Sequence, residues 1–383
     1  MTILAWGTLA FLAIVLGLAG VLLGGLGKLG RLAEQPPRDV AAAPLVSLVV
    51  AARDEARGIE AAARSLLAQR YPALEILAVD DRSSDGTGTI LDRLAAADAR
   101  LRVVHVRELP PGWLGKNHAL SLGAAVARGE WLLFADADIV MQPDTLSRAV
   151  GYAERGGLDH LAVMPDLVMP GLLLMSFGTA FLCWGTVLLR PWRVRNPRSR
   201  TSVGIGAFNL VRRSTYQRVG GHAPIRLRPD DDLKLGKLLK QSGAASDFLL
   251  GRGLISVEWY RSVPELIDGL MKNSFAVVEY HALPMLAGVL PYLVAGLGPL
   301  LVLALGDWPA RGLAVLAILV QLGVMLRGAR ELDAPRRVAL LYPVVGVLFA
   351  WITLRALVLN LWQRGIVWRG TYYPLSELRK NKV

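Results

Sequence analysis

The residues best suited to chemistry are two aspartates one position apart, Asp136 and Asp138, at the end of the apolar stretch WLLFADAD (131–138). A short apolar run bounded by polar residues predicts a buried strand, and side chains at positions i and i+2 of a strand point the same way. Two carboxylates held side by side form a hard-oxygen site for Mg²⁺ or Mn²⁺, and such a metal binds a diphosphate. An Asp-x-Asp sequence also occurs by chance in solvated loops, so this pair alone leaves both interpretations open.

A second acidic cluster lies in RPDDDLKLG (228–236), where Asp230, Asp231 and Asp232 are successive. Neighbouring carboxylates repel one another, which raises their pKa values, and a carboxylate with a raised pKa is suited to accept a proton from a hydroxyl group. The alternative is an acidic helix N-terminus that the helix dipole stabilises. The cluster therefore predicts either a general base or the start of a helix.

A third group is the segment EWYRS (258–262), in which Trp259, Tyr260 and Arg261 precede an amphipathic helical pattern over 264–277. Arginine binds phosphate through two parallel hydrogen bonds, and aromatic rings suit stacking against a ligand ring. An aromatic belt at a membrane interface is the alternative interpretation.

The elements that must position these residues follow the alternating strand and helix pattern of a parallel α/β sheet. Ligands of such sheets bind beyond the carboxyl ends of the strands, and both Asp80/Asp81 and Asp136/Asp138 are expected at that edge. The predicted strands are 45–51, 75–79, 102–106 and 131–138, and the predicted helices between them are 57–69, 87–97 and 117–127.

The bulk composition indicates a soluble domain combined with membrane segments. The chain has 383 residues, of which 53% are hydrophobic and 19% charged, which is too apolar for an ordinary soluble enzyme. The single cysteine, Cys183, excludes an intrachain disulfide. The net charge of +12 suits binding to anionic lipid or to a phosphorylated substrate. A nucleic-acid partner is not expected, because the arginines cluster beside apolar segments and not on a free soluble face.

An uncharged stretch over 3–25 is long enough to cross a bilayer of about 30 Å. Because Lys28 and Arg31 follow it, we expect an N-terminal membrane helix (1–27) that anchors the next domain on the cytoplasmic side of a bacterial-type inner membrane, after a linker over 28–44. The apolar segment 172–189, which runs into an arginine-rich stretch up to residue 200, predicts a helix lying in the membrane interface. A buried core helix is the alternative.

Three further apolar segments, 284–305, 313–326 and 338–362, are candidate C-terminal spans before a basic tail over 363–383. Three crossings would place this tail outside, against the tendency of basic residues to stay inside. Either one of the segments is re-entrant or the tail breaks the rule.

The motifs SLVVAARDEA, ILAVDDRSSDGT, LFADADI, the run over 204–221, DDLKLG and EWYRS occur in the order seen in family 2 glycosyltransferases. The resemblance covers about residues 45–275, and within that family the chain is similar to the membrane-bound lipid-glycosylating group of ceramide, carotenoid and hopanoid-associated glycosyltransferases. It implies an α/β fold of GT-A type with a mostly parallel sheet and flanking transmembrane helices.

The resemblance also implies residue roles. Asp81 is expected to hold the nucleotide base, uracil, and Asp232 to be the general base, with Asp231 beside it. Arg261 matches the arginine of the family's QxxRW motif and is expected to stabilise charge on the departing diphosphate. Glu258 replaces Gln and Ser262 replaces Trp in this motif, and the missing Trp argues against processive polymer synthesis. The implied nucleotide-sugar site is Ala51, Arg53, Glu55, Asp80, Asp81, Lys116 and Asp136, the metal ligands are Asp138 and Asp136, and the acceptor or phosphate contacts are Glu258, Trp259 and Tyr260.

The implied activity is an inverting, metal-dependent transfer of one sugar from a nucleotide sugar, expected to be a UDP-sugar, to the hydroxyl of a membrane lipid. Mg²⁺ or Mn²⁺ is the expected cofactor, and no obligatory protein partner is evident. Two alternatives stay open: a processive polysaccharide synthase of the same fold, and a membrane binding protein without catalysis.

Overall fold

The computed structural model describes residues 2–38 and 43–383, so the predicted linker over 28–44 lies partly outside the described residues. The described chain forms two compact units. The sheet unit comprises Leu29–Asp166, Pro191–Glu258 and Lys380–Val383, and the helical unit comprises the N-terminal residues up to Lys28, Leu167–Arg190 and Trp259–Arg379.

The bounds of the strands and helices agree with the predicted elements where the two overlap, to within a few residues. Over the described residues, the strands are β1 Gly30–Arg31, β2 Val46–Ala52, β3 Leu74–Asp81, β4 Leu101–Val106, β5 Trp131–Asp136, β6 Ile139–Met141, β7 His160–Met164, β8 Asp166–Val168, β9 Asn209–Arg212, β10 Ser246–Leu250, β11 Ile255–Glu258, β12 Gly365–Trp368 and β13 Thr371–Pro374. Over the same residues, the α-helices are α1 Ile3–Leu26, α2 Ile59–Leu67, α3 Thr87–Ala97, α4 Gly115–Val126, α5 Thr145–Arg155, α6 Leu172–Leu189, α7 Arg213–Arg218, α8 Asp231–Gln241, α9 Val263–Val277, α10 Ala282–Leu305, α11 Trp308–Glu331, α12 Tyr342–Trp362 and α13 Leu375–Leu378.

The sheet unit is built on one mixed sheet with the strand order β1-β10-β7-β9-β5-β2-β3-β4 among the described residues. All neighbours are parallel except β9, which runs antiparallel to both β5 and β7. The central strands β2, β3 and β5 are almost entirely apolar and buried, as is typical of parallel strands covered on both faces. The predicted mostly parallel α/β sheet is confirmed. Strand β1 pairs with β10, although a linker is predicted over these residues.

Helices α4 and α8 pack against the central strands through one apolar cluster. Leu120 of α4 and Leu235 and Leu239 of α8 are buried in this cluster together with Leu132 and Phe134 of β5. This cluster holds the first turns of α4 and α8 in the same unit as the carboxyl end of β5. Lys116 lies in the first turn of α4, and Asp231 and Asp232 are the first two residues of α8.

The helical unit contains the segments that are long and apolar enough to cross a membrane. Within the described residues these are Ile3–Leu26, Leu172–Arg193, Ala282–Leu305, Trp308–Glu331 and Arg336–Trp362. Helices α10 and α12 approach closely at two glycines, because a Cβ on Gly296 would lie 3.0 Å from the Pro343 carbonyl oxygen and a Cβ on Gly346 2.8 Å from that of Tyr292. Such small-residue contacts are typical of helices packed within membranes.

Helix α6 is also long enough to span, but its two ends argue against a single crossing. The strand before it, β7, and the strand after it, β9, pair with each other in one sheet, so both ends of α6 must return to the same side of a membrane. Half of its apolar stretch is buried inside the structure. The two predicted interpretations, an interfacial helix and a buried core helix, are both compatible with this placement.

The last residues of the chain limit how often it can cross a membrane before the basic tail. Glu258 and Lys380 both belong to the sheet unit, although α10, α11 and α12 lie between them. If these helices lie in a membrane, the chain crosses it an even number of times between the two residues. An even number of crossings fits the interpretation in which one segment is re-entrant, and the number of crossings stays a prediction.

Candidate active site

The carboxyl ends of three adjacent strands bring the predicted residues together. Ala51 of β2 is the register partner of Asp136 in β5, and Ala52 is the partner of Asp80 in β3. The two acidic pairs therefore flank the end of β2, at the edge of the sheet where the sequence analysis expects them.

Asp81 is almost fully buried and held by two arginines. Arg82 donates to both of its carboxylate oxygens, at 2.8 and 3.0 Å, and Arg53 Nη1 lies 3.8 Å from Asp81 Oδ2. Gly115, at the start of α4, abuts the same carboxylate so closely that a Cβ there would overlap it. Two guanidinium groups keep this side chain oriented at the end of β3.

Asp80 is held from the other side by a histidine that the sequence analysis does not single out. His105 Nδ1 lies 3.0 Å from Asp80 Oδ2, and its Nε2 lies 2.9 Å from Asp92 Oδ1. Hydrogen bonds to Asp92 and Asp80 raise the pKa of His105 above its ordinary value. A Cβ on Gly88 would lie 2.6 Å from Asp80 Oδ2, so only glycine fits the first turn of α3 at this position.

The loop after β2 is fixed to the turn after β3. The Glu55 amide donates to Thr87 Oγ1 at 2.8 Å, and the Ala56 amide donates to Asp85 Oδ2 at 2.9 Å. The Ser84 amide also donates to Asp54 Oδ1, at 2.8 Å. Glu55 is thereby placed near Asp138, and its negative charge acts on the titration of that residue.

Asp138 lies near other negatively charged side chains. Burial, followed by the negative charges of Asp136 and Glu55, raises its pKa to about 7. Among the described residues no group of three or more His, Cys, Asp or Glu side chains is arranged to hold a metal. Two carboxylates completed by phosphate oxygens are, however, the usual protein share of a Mg²⁺ site in phosphoryl chemistry, so Asp136 and Asp138 fit a metal that binds together with a diphosphate.

Lys116 bridges the two acidic clusters. Its Nζ lies 2.8 Å from Asp136 Oδ1 and 3.6 Å from Asp231 Oδ1. Burial alone would lower the pKa of Lys116, but the charges of Asp136, Asp231 and Asp232 outweigh it and raise the pKa, so the ammonium stays protonated. The lysine is thus an ion-paired member of the site, and not a solvated side chain.

Asp232 is positioned by a close approach of the backbone. The Gly206 amide donates to Asp232 Oδ2 at 2.8 Å, and the Leu233 amide donates to Oδ1 at 2.7 Å. A Cβ on Gly206 would lie 2.9 Å from Asp136 Oδ2, and one on Gly204 would overlap the Asp232 carbonyl group. Burial, and next the charge of Asp231, raise the pKa of Asp232 to about 7, against the opposing charge of Lys116.

Of the three successive aspartates, Asp230 is structural. The fully buried Arg228 guanidinium donates to both of its oxygens at 2.9 Å. This pair leaves Asp231 and Asp232 to face Lys116. The predicted helix start is confirmed, because α8 begins at Asp231, and the role of general base stays a prediction.

A neutral histidine lies beside these carboxylates. His222 Nδ1 is 2.6 Å from the Tyr216 hydroxyl, and the imidazole lines a small cavity with Lys116, Asp231 and Asp232. Burial, and next the charge of Lys116, lower the pKa of His222 to about 3. Near neutral pH this histidine carries no charge, and so low a pKa makes it a weak proton acceptor.

The segment 258–262, predicted as an acceptor or phosphate contact, is divided between the two units. Glu258 ends β11 in the sheet unit and pairs with Arg57. In the helical unit, Arg261 pairs with Glu265 at 3.0 Å at the start of α9, and the Trp259 ring lies 4.6 Å from that of Phe181. These contacts leave the predicted ligand roles of 258–261 as predictions.

Residues 47–220 match the family model described as glycosyl transferase family 2. The chain is 35% identical over 141 residues to the succinoglycan biosynthesis protein ExoO of Rhizobium meliloti, covering 36% of this chain and 38% of that protein. It is 23% identical over 235 residues to the 4,4'-diaponeurosporenoate glycosyltransferase of Staphylococcus haemolyticus, covering 60% of each. It is 32% identical over 159 residues to the beta-monoglucosyldiacylglycerol synthase of Trichormus variabilis, covering 40% of this chain and 32% of that protein. In each case the matched region spans less than two thirds of the relative.

A solved structure with the same fold is that of the mannosyltransferase PcManGT from Pyrobaculum calidifontis in complex with GDP-Man and Mn²⁺. It aligns with a TM-score of 0.60 at 20% identity, over 94% of this chain and all of the other. At that identity the likeness shows the fold alone, and it confirms the predicted α/β fold of GT-A type.

Proposed function

We propose that this chain, whose residues 47–220 match the family model described as glycosyl transferase family 2, transfers a single sugar from a nucleotide diphosphate sugar to a hydroxyl group of a membrane lipid. The observation that carries the proposal is the cluster of Asp136, Lys116, Asp231 and Asp232 at the carboxyl end of the central strands. It combines groups that bind a diphosphate with a carboxylate that can accept a proton.

The reaction that these residues support is a direct displacement. The bond between the anomeric carbon and the diphosphate oxygen breaks, a bond from that carbon to the acceptor oxygen forms on the opposite face, and the acceptor's proton passes to Asp232. The raised pKa of Asp232 matches this task, because a general base works best when its pKa lies near the working pH.

The departing diphosphate carries the charge that must be stabilised. Lys116 supplies a fixed ammonium at the site, 2.8 Å from Asp136. Asp136 and Asp138 would hold Mg²⁺ or Mn²⁺, which when bound neutralises charge on the leaving oxygens. Asp81, fixed by Arg82 and Arg53, is the proposed contact to the nucleotide base.

An apolar cavity in the helical unit supports a lipid acceptor. It has a volume of about 80 Å³ and is lined by α1, α6, α10, α11 and α12. Gln321 and Tyr342 are among the residues that line this cavity, and Gln321 Nε2 and the Tyr342 hydroxyl are buried without a hydrogen-bond partner among the described residues. A hydrocarbon chain that carries an oxygen atom would satisfy both the apolar walls and these two groups.

The role of the cavity in binding the acceptor can be tested by filling it with a larger side chain. Ala295→Phe places a ring in the cavity, and we expect the KM for the lipid acceptor to rise several-fold while the KM for the donor stays unchanged. Leu297→Phe, on the same helix but outside the lining, is the matched control. Initial rates at varied acceptor and donor concentrations in lipid nanodiscs measure both constants. Equal acceptor constants in the two variants would remove this support for a lipid acceptor.

The proposed location is a membrane with the sheet unit on its cytoplasmic side. Because Cys183 is the only cysteine, a Cys183→Ala chain can carry a single reporter thiol at exposed Ala99 or exposed Lys382. We expect a membrane-impermeant maleimide to label both positions in inverted vesicles and neither in intact cells. Labelling of the two positions from opposite sides would contradict an even number of crossings between the sheet unit and the tail.

The activity itself is tested by nucleotide release. Purified protein supplied in turn with UDP- and GDP-sugars is expected to release nucleoside diphosphate only when a divalent metal and a lipid extract are both present. Release that needs no lipid, with a ladder of soluble oligomers, would favour the polysaccharide synthase. Binding of nucleotide sugar without any release would favour the inactive binding protein.

A further inference from the structure

The last residues of the chain contact the loop that leads into the acidic cluster. Asn381 Nδ2 donates to the Pro224 carbonyl oxygen at 2.7 Å, and Asn381 Oδ1 accepts from the Leu227 amide at 2.9 Å. One side-chain amide thus closes both ends of the segment Pro224–Leu227. Asp231 and Asp232 follow four and five residues later in the chain.

This loop has little regular structure of its own. It contains one short 3-10 turn, Ala223–Ile225, and a local hydrogen bond from the Arg228 amide to the Ile225 carbonyl oxygen at 2.9 Å, and partners that are distant in sequence also hold it. Asn117 Nδ2 donates to the carbonyl oxygens of Ile225, at 2.7 Å, and Arg228, at 2.9 Å. The Leu114 amide donates to the Arg226 carbonyl oxygen at 2.8 Å. The start of α4 holds one side of the loop, and Asn381 holds the other.

The residues around Asn381 are anchored to α8 itself. Lys237 Nζ, in the second turn of α8, donates to the Val383 carbonyl oxygen at 2.6 Å. The Val383 side chain packs against the apolar cluster that contains Ile225, Leu235 and Leu239. The tail therefore contacts both the loop before Asp231 and the helix after Asp232.

We propose that Asn381 is a positioning residue for Asp232, so that the segment Lys380–Val383, which follows the helical unit in the chain, completes the candidate active site. The Gly206 amide donates to Asp232 Oδ2 at 2.8 Å. A shift of the loop before Asp231 therefore changes where the Asp232 carboxylate lies against Lys116 and Asp136. Small misplacements of a catalytic group are costly, since proton transfer needs the base within hydrogen-bond reach of the acceptor. The inference rests on the proposed role of Asp232 as the base.

The test uses the full-length protein in nanodiscs with the variants Asn381→Ala and Asn381→Asp. Asn381→Ala removes both hydrogen bonds, and we expect kcat to fall roughly tenfold to a hundredfold with the donor KM unchanged. Asn381→Asp keeps the acceptor for the Leu227 amide but loses the donor to Pro224, so we expect an intermediate kcat. Lys382→Ala, an exposed neighbour, is expected to behave as wild type.

Hydrogen exchange separates positioning from general destabilisation. In Asn381→Ala we expect faster amide exchange over 224–232 and unchanged exchange in β2, β3 and β5. Wild-type kcat in Asn381→Ala, or faster exchange throughout the sheet unit, would overturn the inference. If Asp232→Asn turned over normally, the proposed base would fail instead; if Asp232→Asn were inactive and Asn381→Ala fully active, only the role of the tail would fail.

Discussion

Asp232→Asn is expected to lower kcat by roughly 10²- to 10⁴-fold, the range that general base catalysis contributes, while donor binding stays unchanged. The substitution keeps the size of the side chain and an oxygen that can accept from the Gly206 amide, but it removes the atom that takes the acceptor's proton. Steady-state rates, with donor affinity from calorimetry, measure the two effects separately. Asp98→Asn, which changes a surface carboxylate paired with Arg100, is the control.

The pH dependence follows from the same residue. Asp232 must be deprotonated to act as a base, and its pKa is raised to about 7, so kcat/KM should rise with pH through that region and level off above it. An ordinary aspartate would give a plateau already present near pH 5, since its pKa is about 3.9. A flat profile between pH 5 and 8, or unimpaired turnover by Asp232→Asn, would show that the base lies elsewhere.

Asp138→Ala is expected to abolish transfer by removing one of the two carboxylates that fit a metal. Because like charges from Asp136 and Glu55 surround Asp138, the loss of its charge relieves repulsion, and we expect the folded protein to be at least as stable as wild type. The prediction is therefore an inactive variant with an unchanged or raised Tm.

Calorimetry distinguishes a metal role from a purely structural one. In wild type, Mn²⁺ should strengthen the binding of a nucleotide sugar, and in Asp138→Ala this enhancement should disappear while the metal-free affinity persists. Asp54→Ala, on the neighbouring loop and linked to Ser84, is the matched acidic control and should retain the enhancement. Full transfer activity in Asp138→Ala would contradict the assignment.

The central sheet and its acidic edge could be predicted from sequence because their signals are local. Strands β2, β3 and β5 are short apolar runs with polar ends, and Asp80, Asp81 and Asp136 follow directly from where those runs stop. The bounds of α3 agree with the prediction residue for residue, since a turn rich in Ser, Asp and Gly precedes it.

The remaining features depend on contacts between distant parts of the chain. The insertion of β9 antiparallel between β5 and β7 joins segments about 50 and 80 residues apart, and four residues of strand carry no signal for their partners. The pairing of Arg228 with Asp230, which separates one structural aspartate from two site aspartates, could not be read from three identical residues in a row. The hydrogen bond between Asn381 and Leu227 joins residues that are 154 positions apart in the chain.

Mass spectrometry of extracted lipids can show whether the chain transfers one sugar to a lipid with Asp232 as the base. Membranes that contain the wild-type chain or Asp232→Asn would be supplied with isotopically labelled nucleotide sugars. We expect a lipid that has gained the mass of one sugar in the wild-type membranes, and no such lipid with Asp232→Asn. A ladder of added sugars, a labelled product outside the lipid fraction, or equal product from both chains would contradict it.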